Sequence, residues 1–204
     1  EPTVPISDEH ILELLQSLPI NSNHPRNSES AKKWDFAIRA MACYGLRPIK
    51  IKHLEVRKNG KDTIWCTYCK KSGGDIGKPR RLWPLHPQWE NEWNLIERVA
   101  NKDPMPPAVT GVGEAARKYL GRNKVWKRIK TETGVVSKSF RHAFARRAHQ
   151  EYGLSDTDTA AMMGHTTKTH NDKYAQWTSE AMLEQSMERA MKFKQLTNSL
   201  NKQI

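Results

Sequence analysis

The spacing of apolar residues predicts a mainly helical chain. Residues 8–18 (DEHILELLQSL) place Ile11, Leu14, Leu15 and Leu18 on one helical face. Further helices are predicted over the following ranges: about 30–44, 88–100, two between 114 and 130, 138–150, 156–163, and from about 179 onward. Gly45 and Gly164 fit the positions just past two helix ends, where glycine is favoured.

Between residues 54 and 85 the spacing of apolar residues changes from a helical pattern to one typical of strands. LEVRKNG, TIWCTYC and PRRLWPL each predict a strand, and Asn-Gly and glycine-rich turn sequences separate them. Pro48, shortly before them, fits the first position of a short helix. The predicted fold class is therefore mainly α with a small three-stranded antiparallel sheet, an α+β arrangement.

Charge then indicates a class of partner. The 204 residues include 34 Lys and Arg against 22 Asp and Glu, a formal net charge of +12. Such an excess favours a polyanion through counterion release and electrostatic steering. No apolar run approaches the ~20 residues of a membrane-spanning helix, and the lysines are scattered rather than gathered in a tail. Nucleic acid is the favoured partner over a membrane surface.

The cysteines add little to this picture. Only Cys43, Cys66 and Cys69 occur, too few for a disulfide framework, and no signal peptide is visible, so we interpret the protein as intracellular. Cys66 and Cys69 form a single CxxC, which is weak evidence for zinc without a second pair. Alternation along a strand also points these two thiols to opposite faces. We expect no metal.

Four stretches carry candidate chemistry. YGLRP places Arg47 just past a helix end, and CKKSGGDIGKPRRLWPL places lysines at a hairpin tip. SKSFRHAFARR puts Lys138 and Arg141 three apart on one helix face. MMGHTTKTHNDKYAQW sets Tyr174 nine residues after His165. Each stretch alone has an ordinary explanation, as a surface arginine, a soluble turn or a packing tyrosine.

Taken in this order, the four stretches resemble the catalytic domain of the tyrosine recombinases, the phage-integrase family. The matching motifs are YGLR, SFRHAFA, and MMGH followed by KY, and the resemblance spans about residues 8–178. It implies the tyrosine recombinase catalytic-domain fold for residues 1–178. It also implies that residues 179–204 form an amphipathic helix or tail that docks on a neighbouring protomer. The family's N-terminal core-binding domain is expected to be absent from this sequence.

The resemblance assigns the central roles to three side chains. Arg47 and Arg141 would clamp the non-bridging oxygens of the scissile phosphate, and Tyr174 would be the nucleophile. A free phenol has a pKa near 10, so about one in a thousand is ionised at neutral pH. Two guanidinium groups at the phosphate would favour both the phenolate and the pentavalent transition state.

The remaining roles also follow from the resemblance. Lys71 would be the general acid for the departing 5′ oxygen, with Lys70 or Lys78 as alternatives because the hairpin loop is longer than usual. Lys138 would assist proton transfer at a position more often held by histidine. His165 would hydrogen-bond the phosphate or the leaving side.

Two other predictions concern the surroundings of this site. Lys70, Lys78, His170 and Lys173 are expected to contact DNA, the last two from a DNA-facing loop. Lys50 departs from the family pattern, since an acidic residue usually stands there and supports the first arginine. The orientation of Arg47 must then come from elsewhere.

The predicted function is that of a site-specific DNA recombinase of the integrase or excision type. It would cut and rejoin strands through a 3′-phosphotyrosine intermediate, without metal, ATP or another cofactor. The expected partners are double-stranded DNA and further copies of the chain, four protomers on two sites, with no membrane and no small-molecule substrate. The expected setting is the cytoplasm, at the nucleoid of a bacterium or phage-infected cell. Two alternatives stay open: a non-catalytic DNA-binding protein of the same fold, and a type IB topoisomerase-like enzyme.

Overall fold

The computed structural model describes residues 3–69, 78–103 and 111–174, with isolated positions between 184 and 195. The helices are α1 Asp8–Gln16, α2 Pro25–Tyr44, α3 Pro87–Glu92, α4 Leu95–Ala100, α5 Val112–Arg122, α6 Lys124–Thr133, α7 Ser139–Gln150, α8 Asp156–Met163 and α9 Thr167–Tyr174. A 3-10 helix covers Pro48–His53, and the strands are β1 Leu54–Asn59, β2 Lys61–Cys66 and β3 Arg80–Arg81. No helix within these ranges is long and apolar enough to cross a membrane.

The sheet confirms the predicted fold class. Its order is β1-β2-β3, with both pairs antiparallel. The first two strands meet at a tight turn in which Gly60 takes a positive φ of 74°. The third strand is shorter than predicted: only Arg80 and Arg81 belong to it, although the Leu82 N–H also donates to the Ile64 carbonyl at 2.8 Å.

Helix boundaries differ from the predictions in two places. The second helix begins at Pro25, five residues earlier than expected from the apolar pattern, with the proline in its first turn. The single helix predicted over 88–100 is two helices, because Asn94 between them adopts a left-handed conformation with φ of 49°. Trp89 and Trp93 nevertheless both pack in the core.

Packing of α2 against α7 brings the later site together. The C-cap of α2 is Gly45, whose φ of 62° is left-handed, and a methyl group there would lie 2.6 Å from Cγ of Phe144. Only glycine allows so close an approach at that backbone angle. A second, smaller core cluster forms beside this contact and includes Phe144, Met163 and Tyr174.

An ion pair between a buried arginine and a partly exposed aspartate fixes the other side of α7. The Arg147 side chain is 2% exposed, and its Nη2 donates to Asp8 Oδ1 at 2.6 Å. The other carboxylate oxygen of Asp8 lies 2.7 Å from Nε2 of His86. Arg147 therefore joins α7 to the first helix, and its role is structural rather than part of the site described next.

Candidate active site

Arg141 is held by the ends of two helices. Its Nη1 donates to the Gly45 carbonyl at 2.7 Å, and its Nη2 donates to the Met163 carbonyl at 2.9 Å. Carbonyls at helix C-termini lack intrahelical partners and carry partial negative charge, so they suit a cation. Arg141 is only 6% exposed, and burial lowers the pKa of its guanidinium to about 10. The guanidinium is thus fixed where α2, α7 and α8 converge.

Arg80 reaches the same point from β3. Its Nη2 donates to the Met163 carbonyl at 3.2 Å, so both arginines share one acceptor. Arg80 also lies over Gly164, where an added methyl would come within 2.5 Å of its Nε. The glycine before His165 therefore makes room for a second guanidinium.

The Tyr174 ring is enclosed while its hydroxyl meets Arg141. Tyr174 is 3% exposed, and its ring centroid lies 4.7 Å from that of His170 and 4.9 Å from that of His142. Burial raises the pKa of the Tyr174 phenol above its ordinary value. A hydrogen bond and the charge of Arg141, with the charge of Arg47, act in the opposite direction. Without DNA, burial outweighs the cations and the phenol stays protonated.

A groove of about 760 Å³ has Tyr174 in its lining. Its lining includes Arg47, Lys138, Arg141, Lys173 and Tyr174. Arg47, Lys138 and Lys173 are exposed, whereas the other two are buried at its base. The structure therefore brings together in one concave surface the two predicted arginines, the predicted tyrosine and the lysine at the start of α7.

The two predicted site histidines lie behind the groove. The Arg141 Nη2 is 3.2 Å from His165 Nδ1, and His165 Nε2 is 3.0 Å from His170 Nδ1. Both ring nitrogens of His165 are thus engaged inside the protein rather than turned to a phosphate. His170 is 1% exposed and belongs to α9, so it does not lie on the predicted DNA-facing loop. His142 is also buried, beside the tyrosine ring.

The hairpin lysines are placed only in part. Lys70 and Lys71 lie outside the described residues, so their predicted roles stay predictions. Lys78 is described and exposed. The predicted C-terminal segment 179–204 also lies mostly outside the described residues, but Met187 and Met191 are described and are each 58% exposed.

Lys50 is a site residue whose importance the sequence did not reveal. It is only 9% exposed, and burial together with the charges of Arg80, Arg141 and Arg47 lowers the pKa of its amine to about 7. The sequence marked Lys50 only as a departure from the family's acidic residue. Arg80 was missed too, although two adjacent basic residues in a strand must face opposite sides, so one of them had to point inward.

Within the described part of the chain, the cations of the site are not held in ion pairs. Among the described residues, no carboxylate forms an ion pair with Arg47, Lys50, Arg80 or Arg141. The Nε atoms of Arg80 and Arg141 are buried without a hydrogen-bond partner. Buried charge is costly unless it is paired. The arrangement is therefore suited to receive an anion with several oxygen acceptors, such as a phosphate.

Comparison with known proteins identifies the fold. No protein-family model matches the sequence, and no curated protein sequence matches it significantly. A solved structure is similar: the XerH site-specific recombinase bound to palindromic difH substrate, in a post-cleavage complex. The TM-score is 0.51 at 16% sequence identity, over 92% of this chain and 53% of that one.

The similarity shows a class of fold. The chain has the fold of a tyrosine recombinase catalytic domain, mainly helical with a three-stranded antiparallel sheet, as the resemblance of its motifs predicted. It spans about half the length of the recombinase chain that it resembles.

Proposed function

We propose that this chain is the catalytic domain of a site-specific DNA recombinase that cuts and rejoins strands through a 3′-phosphotyrosine intermediate. The observation that carries the proposal is the Tyr174 hydroxyl beside Arg141, at the base of a groove lined by Arg47 and Lys138. Arg47 and Arg141 form no ion pair among the described residues, and this supports a phosphate as the group that enters the groove.

The reaction is a transesterification. The Tyr174 oxygen attacks the phosphorus, the new phosphorus–oxygen bond forms, and the bond to the 5′ oxygen breaks. The phenol loses a proton, and the departing 5′ oxygen gains one. Arg47 and Arg141 neutralise the non-bridging oxygens as charge accumulates on them. The covalent intermediate keeps the energy of the broken bond, so attack by a new 5′ hydroxyl rejoins the strand without ATP.

Proton transfer falls to the lysines. Lys71 is the proposed general acid, with Lys70 and Lys78 as the alternatives on the same hairpin, and Lys138 assists from the groove wall. In the DNA-free state, His165 supports Arg141 from behind. For His165 to contact the phosphate or the leaving oxygen, as the resemblance implies, its Nε2–H must leave His170.

The proposed partners are double-stranded DNA and other copies of the chain. The net charge of +12 and the exposed lysines of the groove favour DNA, and the similar site-specific recombinase was solved with its palindromic difH substrate. Four protomers would assemble on two sites, with residues 179–204 docking on a neighbour. The exposure of Met187 and Met191 supports docking, because adaptable methionine surfaces suit protein contacts.

Two features favour a second candidate, a non-catalytic DNA-binding protein with this fold. Lys50 stands where the family places an acid, and burial raises the pKa of Tyr174. Without that acid, Arg47 loses the support it usually has in the family, and the raised pKa of Tyr174 slows formation of the phenolate. A type IB topoisomerase-like enzyme shares the tyrosine chemistry and would relax supercoiled plasmid without a specific site.

The test is covalent capture on a pool of DNA. Nicked duplexes of randomised sequence are incubated with the protein, and adducts are isolated after denaturation. We expect adducts for the wild type and for Tyr152→Phe, a matched control at an exposed tyrosine, but none for Tyr174→Phe. Retention of DNA with no adduct would favour the binding protein, and adducts that survive Tyr174→Phe would refute the proposal.

A further inference from the structure

Three histidines form a hydrogen-bonded chain that leads away from Arg141. His165 Nε2 lies 3.0 Å from His170 Nδ1, and His170 Nε2 lies 2.7 Å from His149 Nε2. His149 Nδ1 lies 3.0 Å from the Leu154 carbonyl oxygen. His149 and His170 are 1–2% exposed. The chain therefore runs from the active site to the start of α8, shielded from water.

The two ends of the chain fix the proton positions. Arg141 can only donate, so His165 Nδ1 accepts, and its proton sits on Nε2. His165 then donates to His170, and His170 donates through its own Nε2 to His149. The Leu154 carbonyl can only accept, so His149 carries its proton on Nδ1. Both ends therefore require the hydrogen bonds to be donated in the same direction, from His165 to His170 to His149. In this arrangement all three rings are neutral.

The far end of the chain has the composition of a metal site. His149, Asp156 and His170 each bring one ligand atom within 4.8 Å of the others, and Asp156 Oδ1 lies 3.8 Å from His149 Nε2. We propose that these three residues bind a transition-metal ion such as Zn²⁺, with water as a fourth ligand. Two imidazole nitrogens and one carboxylate oxygen are ligands that zinc accepts in open tetrahedral sites.

The surroundings already orient these ligands. The second ring nitrogen of His149, Nδ1, donates a hydrogen bond to the Leu154 backbone carbonyl. Such a bond fixes the tautomer and the ring orientation of metal-binding histidines. With the Asn171 amide turned to satisfy its neighbours, its nitrogen donates to Asp156 Oδ2 at 3.2 Å, leaving Oδ1 toward the histidines. The Asp156 side chain is 35% exposed, so an ion can enter from solvent. Binding requires the two imidazole nitrogens to separate from 2.7 Å to about 3.3 Å.

Occupancy of this site conflicts with the contact between Arg141 and His165. A metal on His170 Nε2 leaves the neutral ring with its proton on Nδ1, where it now donates to His165. His165 must then carry its own proton on Nδ1, facing a guanidinium that also only donates. One contact has to break, so we infer that the metal loosens the support of Arg141. The three ligands come from α7, α8 and α9, so no spacing in the sequence indicated them.

The test uses metal alone, with no DNA, so its outcome is independent of the proposed recombinase activity. An untagged Cys69→Ser protein, which removes a competing thiol, is titrated with Co²⁺ and Zn²⁺. We expect one ion per chain, visible cobalt bands without thiolate charge transfer, and at least tenfold weaker binding in His149→Gln and Asp156→Asn. His24→Ala, at an exposed histidine, should bind as the parent does.

Two results would overturn the inference. Absence of saturable binding, or binding unchanged in both ligand variants while circular dichroism shows them folded, would remove the site. Histidine side-chain ¹⁵N spectra test the linkage separately. Zinc should abolish the His165 Nε2–H signal, and a signal that persists at saturation would refute the coupling to Arg141.

Discussion

The buried amine of Lys50 gives the sharpest energetic prediction. Burial and the neighbouring arginines lower its pKa from 10.5 to about 7. Between these two values the unfolded chain binds more protons than the folded one, so stability rises with pH across that window. The cost of Lys50 is at most about 4 kcal/mol at pH 7 and about 2 kcal/mol at pH 9, and it is constant below the folded pKa.

Lys50→Met removes this cost and keeps the length of the side chain. The variant should therefore gain stability relative to the wild type at pH 7, and that advantage should shrink by about 2 kcal/mol by pH 9. Urea unfolding at several pH values measures the difference. Lys52→Met, at an exposed lysine of the same 3-10 helix, should show no comparable trend. A stability difference between Lys50→Met and the wild type that stays constant from pH 7 to pH 9 would mean that Lys50 remains charged over this range. The lowered pKa of its amine would then be wrong.

Two further predictions concern the frame of the site. Gly45→Ala should cost about 2–4 kcal/mol, from the left-handed backbone angle and the clash with the ring packed against it. Gly134→Ala, also left-handed but with open space around it, should cost only about 1 kcal/mol in the same urea measurement. Asp8→Asn leaves the buried Arg147 without its partner and should cost about 2 kcal/mol by thermal or urea unfolding. Glu29→Gln, in an exposed ion pair, should change stability by less than about 0.5 kcal/mol. Equal losses of stability in Asp8→Asn and Glu29→Gln would contradict the importance given to the burial of Arg147.

Local signals made some elements predictable. The helix α8 has the predicted bounds because Ser155 accepts from the Asp158 N–H at its start and Gly164 turns left-handed at its end. The break at Asn94 was not predictable, since a left-handed asparagine between two apolar stretches leaves the helical period intact.

The site was predictable where a motif fixes a residue and a helix end fixes its position. Arg141 and Tyr174 were named from such motifs, and they meet at the base of one groove. His170 and Lys50 were misjudged because their burial depends on which helices pack over them. Polar residues in a polar stretch give no sign that tertiary contacts will enclose them.

The central claim is that one phenolic oxygen, that of Tyr174, becomes esterified to DNA. Digestion of captured adducts with nuclease and protease, followed by fragmentation mass spectrometry, tests it directly. We expect a nucleotide joined through phosphate to the peptide that contains Tyr174, at that side chain. A nucleotide on any other residue would contradict it.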